Sequence, residues 1–285
     1  MDGRAYKDET KGSGTLPDIS LSMNTMTKAI FLDIDGTLVS FKTHKIPQST
    51  LDAIREVRQK GVKVFIATGR PLPFINNLGS LEYDGIMSVT GAYCTTADGV
   101  EIYSNPVPKD DIRRIIADSE AHPMPIAFAC NDKAVVCNVD ANMPALQEIF
   151  KLLDIKLPPV SDIHEALELD VMQIIAFFNA EQEPRIMNEV LKGCDANRWH
   201  PLFADCIAKG TSKATGINKI CEYYGIDLSE TMAFGDGGND IAMLEHAAIG
   251  VAMGNASDDV KSHADIVTDT VDNDGVAKIL RSVCL

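Results

Sequence analysis

The chain has 285 residues, 45% of them hydrophobic and 24% charged, values that exclude a fibrous or wholly disordered protein. With 26 basic and 41 acidic side chains, the formal net charge is −15 at pH 7. Such a surface repels nucleic acid and anionic lipid, so we expect neither as a partner.

The first residues and the cysteines indicate where the protein works. Residues 1–25 are rich in Gly, Ser, Thr, Asp and Lys and are predicted to be a flexible tail, with Met23 or Met26 as possible natural starts. No stretch resembles a signal peptide or a membrane span. The seven cysteines are scattered without a Cys-x-x-Cys pair, which predicts neither a zinc site nor disulfides and favours a cytoplasmic protein.

From Lys28 onward, strand and helix patterns alternate. A buried strand, an amphipathic helix, a second apolar strand and a second helix are predicted near residues 29–32, 51–57, 62–66 and 74–81. Similar units return after Lys209 and continue to the C-terminus. This alternation predicts an α/β fold with a doubly wound, mostly parallel, Rossmann-like sheet.

The alternation is interrupted near Gly91. A hairpin is predicted over residues 93–104, followed by helices and antiparallel strands up to about Phe203. Within this part we expect paired strands, a helix, a further strand and a further helix, at 126–131 with 134–139, 144–153, 171–178 and 186–191. The sequence therefore predicts a core domain of residues 26–90 and 204–285, with an inserted α+β cap domain of residues 91–203.

Two carboxylates mark the end of the first predicted strand. Asp33 and Asp35 stand at i and i+2 in Asp33-Ile34-Asp35-Gly36-Thr37, and ligands of open α/β sheets bind at such strand ends. The pair could hold a hard divalent cation, with one carboxylate attacking phosphorus and its neighbour moving a proton. A polar turn or part of a calcium loop is the alternative, although the further acidic positions of an EF-hand are missing.

A second loop of this kind follows a later short strand. Gly235-Asp236-Gly237-Gly238-Asn239-Asp240 precedes a predicted helix, and by itself such a segment is typical of a loop with a helix N-cap. Together with the carboxylates of the first strand, it predicts a shared metal site that includes Asp236.

Two more segments could hold phosphate oxygens. Thr68-Gly69-Arg70-Pro71 ends the second strand, where a hydroxyl and a backbone N–H are available, although a plain helix start fits equally well. Lys209-Gly210-Thr211-Ser212-Lys213 places a lysine at a helix entry without the pattern of a nucleotide P-loop. Alone, that lysine would be read as a solvated charge.

In this order, the four segments resemble the haloacid dehalogenase superfamily of phosphohydrolases, and most of all its Cof-type subfamily, which carries a large α+β cap between the second and third motifs. The resemblance runs from about Lys28 to the C-terminus and includes Val251-Ala252-Met253-Gly254-Asn255-Ala256. One departure is Thr90-Gly91-Ala92, where family members commonly carry Asn-Gly-Ala. Gly91 keeps the tight turn, so only a loop hydrogen bond or a substrate contact is in doubt.

The resemblance implies a role for each motif residue. Asp33 would be the nucleophile that forms an aspartyl-phosphate, and Asp35 would protonate the leaving oxygen and then activate water. Mg²⁺ would be bound by Asp33, the backbone carbonyl of Asp35, Asp236 and Asp240, and the phosphoryl group by Thr68, Gly69, Lys213 and Asn239. Asp33 should then be ionised while Asp35 is partly protonated, so that their pKa values are pushed apart.

The implied activity is a magnesium-dependent phosphatase for small phosphorylated metabolites. Sugar phosphates come first, with pyridoxal phosphate or flavin mononucleotide as other possibilities, and the net charge is no obstacle because a metal and a few cations reverse the potential locally. A sugar phosphomutase or a pathway-specific sugar-phosphate phosphatase is the alternative. A non-catalytic sensor would require the loss of Asp33, Asp35 or Asp236, and all three are present. Arg70 could pair with another residue or contact the substrate.

Overall fold

The computed structural model describes residues 27–152 and 155–284, so the predicted tail over residues 1–25 lies outside the described part. The strands in that part are β1 Ala29–Leu32, β2 Lys63–Ala67, β3 Gly85–Ser88, β4 Tyr93–Thr96, β5 Glu101–Ser104, β6 Ile126–Cys130, β7 Ala134–Cys137, β8 Val171–Ala176, β9 Cys194–His200, β10 Phe203–Ala208, β11 Thr231–Gly235, β12 Ile249–Ala252 and β13 Ile266–Val267. The α-helices are α1 Gln48–Gln59, α2 Lys109–Ala121, α3 Met143–Leu152, α4 Glu183–Arg185, α5 Lys213–Tyr224, α6 Ile241–His246, α7 Asp258–Ser262 and α8 Gly275–Ile279.

The larger sheet has eight strands in the order β13-β12-β11-β1-β2-β3-β4-β5. Strands β13 to β3 in this order are parallel to one another. Strand β4 is antiparallel to β3, and β5 is antiparallel to β4. Parallel strands covered on both faces read as continuous apolar runs, which is the pattern of β1. Its Ile30 and Leu32 face the hydrophobic cluster that contains α1, whereas Phe31 packs on the opposite side with α5. The predicted doubly wound α/β class is confirmed.

A second sheet of five strands has the order β7-β6-β8-β10-β9, with every neighbouring pair antiparallel. One face packs on α2 through residues such as Ile112 and Ile174. The chain leaves the larger sheet after β5 and returns to it after β10. These two crossings lie side by side and are linked by a hydrogen bond of 2.9 Å, which Asn105 Nδ2 donates to Thr211 Oγ1.

Sheet membership differs from the predicted domain limits at both crossings. The hairpin β4–β5, predicted as the start of the cap, extends the larger sheet by pairing with β3. Strand β10, of which all but the first residue was predicted to belong to the core, pairs with β8 and β9 in the smaller sheet. By hydrogen bonding, the inserted part would run from about residue 107 to 208, and the division into two domains stays a prediction.

The helix predicted over residues 74–81 is wrong. Only the short 3₁₀ turn Leu72–Phe74 forms, because Pro71 and Pro73 supply no backbone N–H and the following stretch contains Asn76, Asn77 and Gly79. The apolar side chains that suggested a helix serve other contacts, as described below for Phe74.

Two other predicted helices are altered or cut short. The helix predicted near 186–191 is a π-helical turn over Ile186–Val190 that follows α4. Helix α3 is described only to Leu152, so the predicted end at Leu153 lies outside the described residues. No helix in the described ranges is both long and apolar enough to cross a membrane.

Candidate active site

Asp33 follows β1 directly and is anchored by its backbone, whose N–H donates to the carbonyl of Phe234 at 3.1 Å. The residue is only 6% exposed. Because β2 and β11 run parallel to β1 on either side, Thr68 and Asp236 emerge at the same edge of the sheet. The topology therefore brings together segments that lie far apart in the sequence, 203 positions in the case of Asp33 and Asp236.

Lys213 enters this edge from the first residue of α5. Ser212 caps that helix by accepting a hydrogen bond from the backbone N–H of Thr215. The lysine is fully buried, and its Nζ lies 2.6 Å from Asp33 Oδ1 and 2.5 Å from Asp240 Oδ1. A charge-assisted bond to each carboxylate fixes the ammonium between them.

Asp240 organises the loop that carries Asp236. Its Oδ2 accepts hydrogen bonds from the backbone N–H groups of Asp236 and Gly237, both at 2.9 Å. The side chain is completely buried. Asp240 thus uses one oxygen for the loop and the other for Lys213.

Carboxylate oxygens of Asp33, Asp236 and Asp240 lie within 4.8 Å of one another. The Asp236 carboxylate is oriented by Thr37 Oγ1 at 3.1 Å and by Asn255 Nδ2 at 3.1 Å. Three carboxylates with one lysine leave the cluster with excess negative charge. A hard divalent cation with a preference for oxygen ligands fits this donor set.

Burial and the neighbouring charges shift the pKa of Asp33, Asp236 and Lys213. Burial and the neighbouring Asp240 raise the pKa of Asp33 well above its usual range, although Lys213 opposes the shift. Burial and Asp240 also raise the pKa of Asp236 to about 7. Burial lowers the pKa of Lys213, but the charges of Asp240 and Asp33 outweigh it, so the pKa rises overall. Lys213 favours the ionised form of Asp33 that a nucleophile needs, and a bound cation would favour it further.

The Asp35 side chain is paired with Arg70. Its Oδ2 and Oδ1 accept hydrogen bonds from Arg70 Nε at 2.7 Å and Nη2 at 2.8 Å. Arg70 also donates from Nη1 to the carbonyl of Phe74 at 3.1 Å. The possible ligand role of the Asp35 backbone carbonyl stays a prediction, but Arg70 is now placed as the partner of the expected acid.

The residues predicted to bind phosphate line the same cavity, apart from the buried Lys213. Thr68, Gly69 and Asn239 all contribute to its wall. Thr68 Oγ1 accepts a hydrogen bond from the backbone N–H of Arg70 at 3.0 Å. Gly69 lies so close to Asn239 that a Cβ at position 69 would be 3.2 Å from its Nδ2. The phosphate-binding roles of these residues stay predictions.

Asn255 is a site residue to which the sequence analysis gave no role. Its Nδ2 bonds Gly36 O at 2.9 Å as well as Asp236, and its Oδ1 accepts from Val271 N–H at 3.0 Å. It thereby ties the loop after β12 to the loops after β1 and β11. The available signal was its position just beyond another parallel strand that ends at the same edge.

The turn before β4 is under backbone strain. Val89, Thr90 and Gly91 have φ values of 49°, 54° and 97°. Residues other than Gly and Asn rarely adopt this left-handed region of the backbone. A Cβ on Gly91 would lie 2.2 Å from the carbonyl oxygen of Ser212. Gly91 therefore allows the turn to contact the entry of α5, one residue before Lys213.

Above the carboxylates lies a cavity of about 780 Å³ between the edge of the larger sheet and the smaller sheet. Its lower wall contains Asp33 and Asp35, and its upper wall contains Gln173, Trp199 and Asp205. The cavity is large enough for a small organic molecule next to the acidic cluster.

Phosphoryl transfer depends on a positioned nucleophile and on cations around the transferring oxygens, more than on reactive side chains. The edge around Asp33 meets these needs beneath an open cavity, and the class of protein is a phosphatase. The sequence model of the haloacid dehalogenase-like hydrolases matches residues 30–280, so the chain belongs to this family. Within the superfamily it is a Cof-type phosphohydrolase.

Several relatives align over nearly their whole length. YkrA of Bacillus subtilis is 36% identical over 264 residues, covering 91% of this chain and 98% of its own. YcsE of Bacillus subtilis, a 5-amino-6-(5-phospho-D-ribitylamino)uracil phosphatase, is 32% identical and covers 89% of this chain and 94% of its own.

Two solved structures share the fold and much of the sequence. The subclass IIB sugar phosphatase BT4131 matches with a TM-score of 0.79 and 43% identity over 90% of this chain and 98% of its own. BT1666, a phosphatase of Bacteroides thetaiotaomicron, matches with a TM-score of 0.82 and 42% identity, covering 95% and 99%.

Proposed function

We propose that the protein is a magnesium-dependent phosphatase that hydrolyses small phosphorylated metabolites, sugar phosphates first, through an aspartyl-phosphate on Asp33. The observation that carries this proposal is the buried Asp33 beside Lys213 and two further carboxylates at the floor of an open cavity. Such an arrangement offers a nucleophile together with positive charge for the transferring oxygens.

Two steps divide the reaction between Asp33 and Asp35. A carboxylate oxygen of Asp33 attacks phosphorus, the bond from phosphorus to the leaving oxygen breaks, and Asp35 gives that oxygen its proton. Water then attacks the aspartyl-phosphate and returns a proton to Asp35, which releases inorganic phosphate and free Asp33. Lys213 and Thr68 would hold the phosphoryl oxygens in both steps.

Asp33, Asp236 and Asp240 would hold Mg²⁺, since their oxygens converge and three carboxylates share the single ammonium of Lys213. When bound, the ion supplies positive charge that stabilises the phosphoryl oxygens and keeps the nucleophile ionised. Thr37 and Asn255 would hold the Asp236 ligand in place through their hydrogen bonds.

The substrate class is inferred from the size of the cavity and from the relatives. The volume of about 780 Å³ suits a phosphorylated sugar. BT4131 is a sugar phosphatase, and YcsE is a phosphatase whose substrate carries a phosphorylated ribityl chain. Both leaving groups carry several hydroxyl groups.

The test is release of inorganic phosphate from p-nitrophenyl phosphate and a panel of sugar phosphates with Mg²⁺. The intact protein is compared with Asp33→Asn, and Asp52→Asn on the surface of α1 is the matched control. We expect Asp33→Asn to lose at least about 10³-fold in kcat, as for other essential nucleophiles, and Asp52→Asn to keep full activity. Activity that survives Asp33→Asn or metal chelation would contradict the proposal. Interconversion of sugar phosphates without phosphate release would instead indicate a mutase.

We also infer a cytoplasmic location. Six of the seven cysteines are free and buried, and thiols that persist unpaired are typical of a reducing compartment. Fractionation of cells that express the tagged protein tests this, and recovery outside the cytoplasm would contradict it.

A further inference from the structure

The smaller sheet turns one face toward the catalytic edge. Side chains alternate along β8 and β10, so Gln173 and Ile175 share a face with Asp205 and Ile207, whereas Ile174 and its neighbours point into the cluster on α2. All four residues of the first set line the cavity. This face is therefore the wall opposite Asp33, where the part of a substrate beyond its phosphate would lie.

The cavity also collects unpaired polar atoms. Among the described residues, the buried side-chain polar atoms without a hydrogen-bond partner are Asn77 Oδ1, Gln173 Oε1 and Arg198 Nη2, and all three residues line the cavity. Gln173 is only 3% exposed. Buried polar atoms are nearly always paired in folded proteins, so an unpaired acceptor on a cavity wall indicates a ligand that donates a hydrogen bond.

Asp205 supplies a second acceptor beside Gln173. The register pairs Asp205 with Ile175 and Gln173 with Ile207, which makes Gln173 and Asp205 diagonal neighbours on one face. Trp199 Nε1 donates to Asp205 Oδ2 at 2.8 Å, and none of the ion pairs among the described residues includes Asp205. The wall thus carries an acidic group whose charge is not neutralised by a cation.

The charge of the nearby Arg198 is already used. Its Nε lies 2.6 Å from Glu183 Oε2, and its Nη1 donates to the carbonyl of Phe178 at 2.9 Å. Only Nη2 is left as a donor. A substrate hydroxyl can both donate and accept, so it matches a wall of two acceptors and one donor.

Trp199 adds an apolar surface next to these acceptors. The residue is 47% exposed and lines the cavity, and its ring packs edge-on against Phe203 with centroids 4.8 Å apart. The hydrogen bond to Asp205 fixes the orientation of the indole. An aromatic ring beside acceptors suits a molecule with C–H faces and hydroxyl edges.

We propose that Gln173 and Asp205, with Trp199 beside them, form the subsite that selects the leaving group, accepting hydrogen bonds from the hydroxyls of an uncharged polyol or sugar and disfavouring a second anionic group. This inference rests on the proposed phosphatase function and assigns its specificity to particular residues.

The first experiment compares kcat/KM for a hexose 6-phosphate and for p-nitrophenyl phosphate, whose leaving group has no alcohol hydroxyls. Asp205→Ala and Gln173→Ala should each lower the value for the sugar phosphate about 10- to 100-fold, the loss expected for one or two hydrogen bonds to a buried or charged acceptor. The value for p-nitrophenyl phosphate should stay within about twofold. Glu120→Gln, exposed on α2 away from the cavity, is the matched control and should change neither value.

The second experiment tests the charge. The intact protein should prefer a hexose monophosphate to the corresponding bisphosphate. Asp205→Asn, which keeps the shape of the side chain, should reduce that preference about tenfold at 0.05 M salt. The reason is that repulsion between the Asp205 carboxylate and the second phosphate contributes roughly that factor at low ionic strength. Thermal melting shows whether each variant is folded. If Asp205→Ala is unfolded, the kcat/KM comparison is made with Gln173→Ala.

The outcomes separate this inference from the function on which it rests. If the intact protein releases no phosphate from p-nitrophenyl phosphate or from any sugar phosphate, the proposed function fails and the subsite with it. If phosphate is released but the variants lower both substrates equally, or leave the sugar phosphate unaffected, the subsite alone is overturned. An unchanged preference in Asp205→Asn would overturn the selection against anionic leaving groups.

Discussion

Arg70 holds Asp35 by two parallel hydrogen bonds, from Nε to Oδ2 and from Nη2 to Oδ1, at 2.7 and 2.8 Å. The same guanidinium reaches the carbonyl of Phe74, whose ring contacts Phe150 of α3 with centroids 5.9 Å apart. The side chain expected to move the proton is therefore tied to the segment that contacts the smaller sheet.

Arg70→Lys should impair proton delivery by Asp35, because an ammonium cannot reproduce the fork of two parallel bonds. We expect kcat to fall about 10- to 100-fold for alkyl phosphates, whose leaving oxygen needs the proton, within the range attributed to general acid catalysis. The fall should be smaller for p-nitrophenyl phosphate, which leaves as a stable anion. Steady-state kinetics on both substrates measures this, with exposed Arg55→Lys as the control. Equal losses on the two substrates would refute a role through Asp35.

Lys213→Met should destabilise the metal-free protein by about 3–5 kcal/mol, the usual cost of leaving a buried partner charge uncompensated. The reason is that Asp33 and Asp240 would face each other without the ammonium between them. Mg²⁺ should recover part of the loss, since a ligand that binds the folded state stabilises it. Urea unfolding with and without Mg²⁺ tests both statements, and Lys219→Met, exposed on the same helix, should cost no more than about 1 kcal/mol. A variant as stable as the intact protein would show that the ion pairs of Lys213 with Asp33 and Asp240 contribute nothing to stability.

Mg²⁺ binding should weaken as the pH falls through about 7, because burial and Asp240 raise the pKa of Asp236 to about 7 and a ligand must lose its proton to bind metal. The apparent Kd should rise about tenfold per pH unit below that value if one proton competes. Calorimetric titration between pH 5.5 and 8.5 measures the slope. A Kd independent of pH would contradict the assignment of Asp236 as a ligand.

The same raised pKa gives a stability prediction of opposite sense for the metal-free protein. The folded state holds the Asp236 proton more tightly than the unfolded state, so stability is fully present below about pH 4 and is lost as the pH rises through about 7. We expect the Asp236→Asn variant to lose less stability than the intact protein between pH 5 and pH 8 in chelator. If thermal melting shows that the two proteins lose the same stability between pH 5 and pH 8, this prediction is contradicted.

Thr90→Asn should stabilise the protein by about 1 kcal/mol, because Thr90 has φ 54° and ψ 28° and a left-handed conformation costs roughly 1–2 kcal/mol for most side chains but less for Asn. Gly91→Ala should have the opposite effect, since its Cβ would meet the backbone of Ser212. Thermal melting tests both. A destabilising Thr90→Asn would show that the threonine side chain makes a contact worth more than the strain.

These positions also show how far the sequence could be interpreted. The apolar run of β1 and the carboxylates after it predict both a parallel strand and its chemical edge, because strand burial and strand ends follow general rules. The spacing of Phe74, Ile75, Leu78 and Leu81 also fits a helix. In the structure, however, Phe74 packs against Phe150, which lies 76 positions away. Local periodicity cannot reveal such a contact.

The site was predictable where a motif residue works next to its own strand and less so where partners come from afar. Asp33 and Asp236 meet because their strands are neighbours. The pairing of Arg70 with Asp35 and the three bonds of Asn255 depend on how loops fold back over the edge. The membership of the β4–β5 hairpin in the larger sheet likewise depends on pairing with β3, which the hairpin pattern itself does not encode.

The carboxylates proposed to carry the reaction and the opposite cavity wall stand on two different sheets, which are linked by neighbouring crossings of the chain and by an apolar cluster in which Met172 and Ile207 pack near Val89 and Tyr93. Substitutions of cavity-facing side chains such as Gln173 and Asp205 can therefore accumulate without disturbing the strand that positions Asp33 or the helix that positions Lys213. In evolutionary terms, descendants of such a protein can change which molecule they accept while the bond-breaking step is inherited intact.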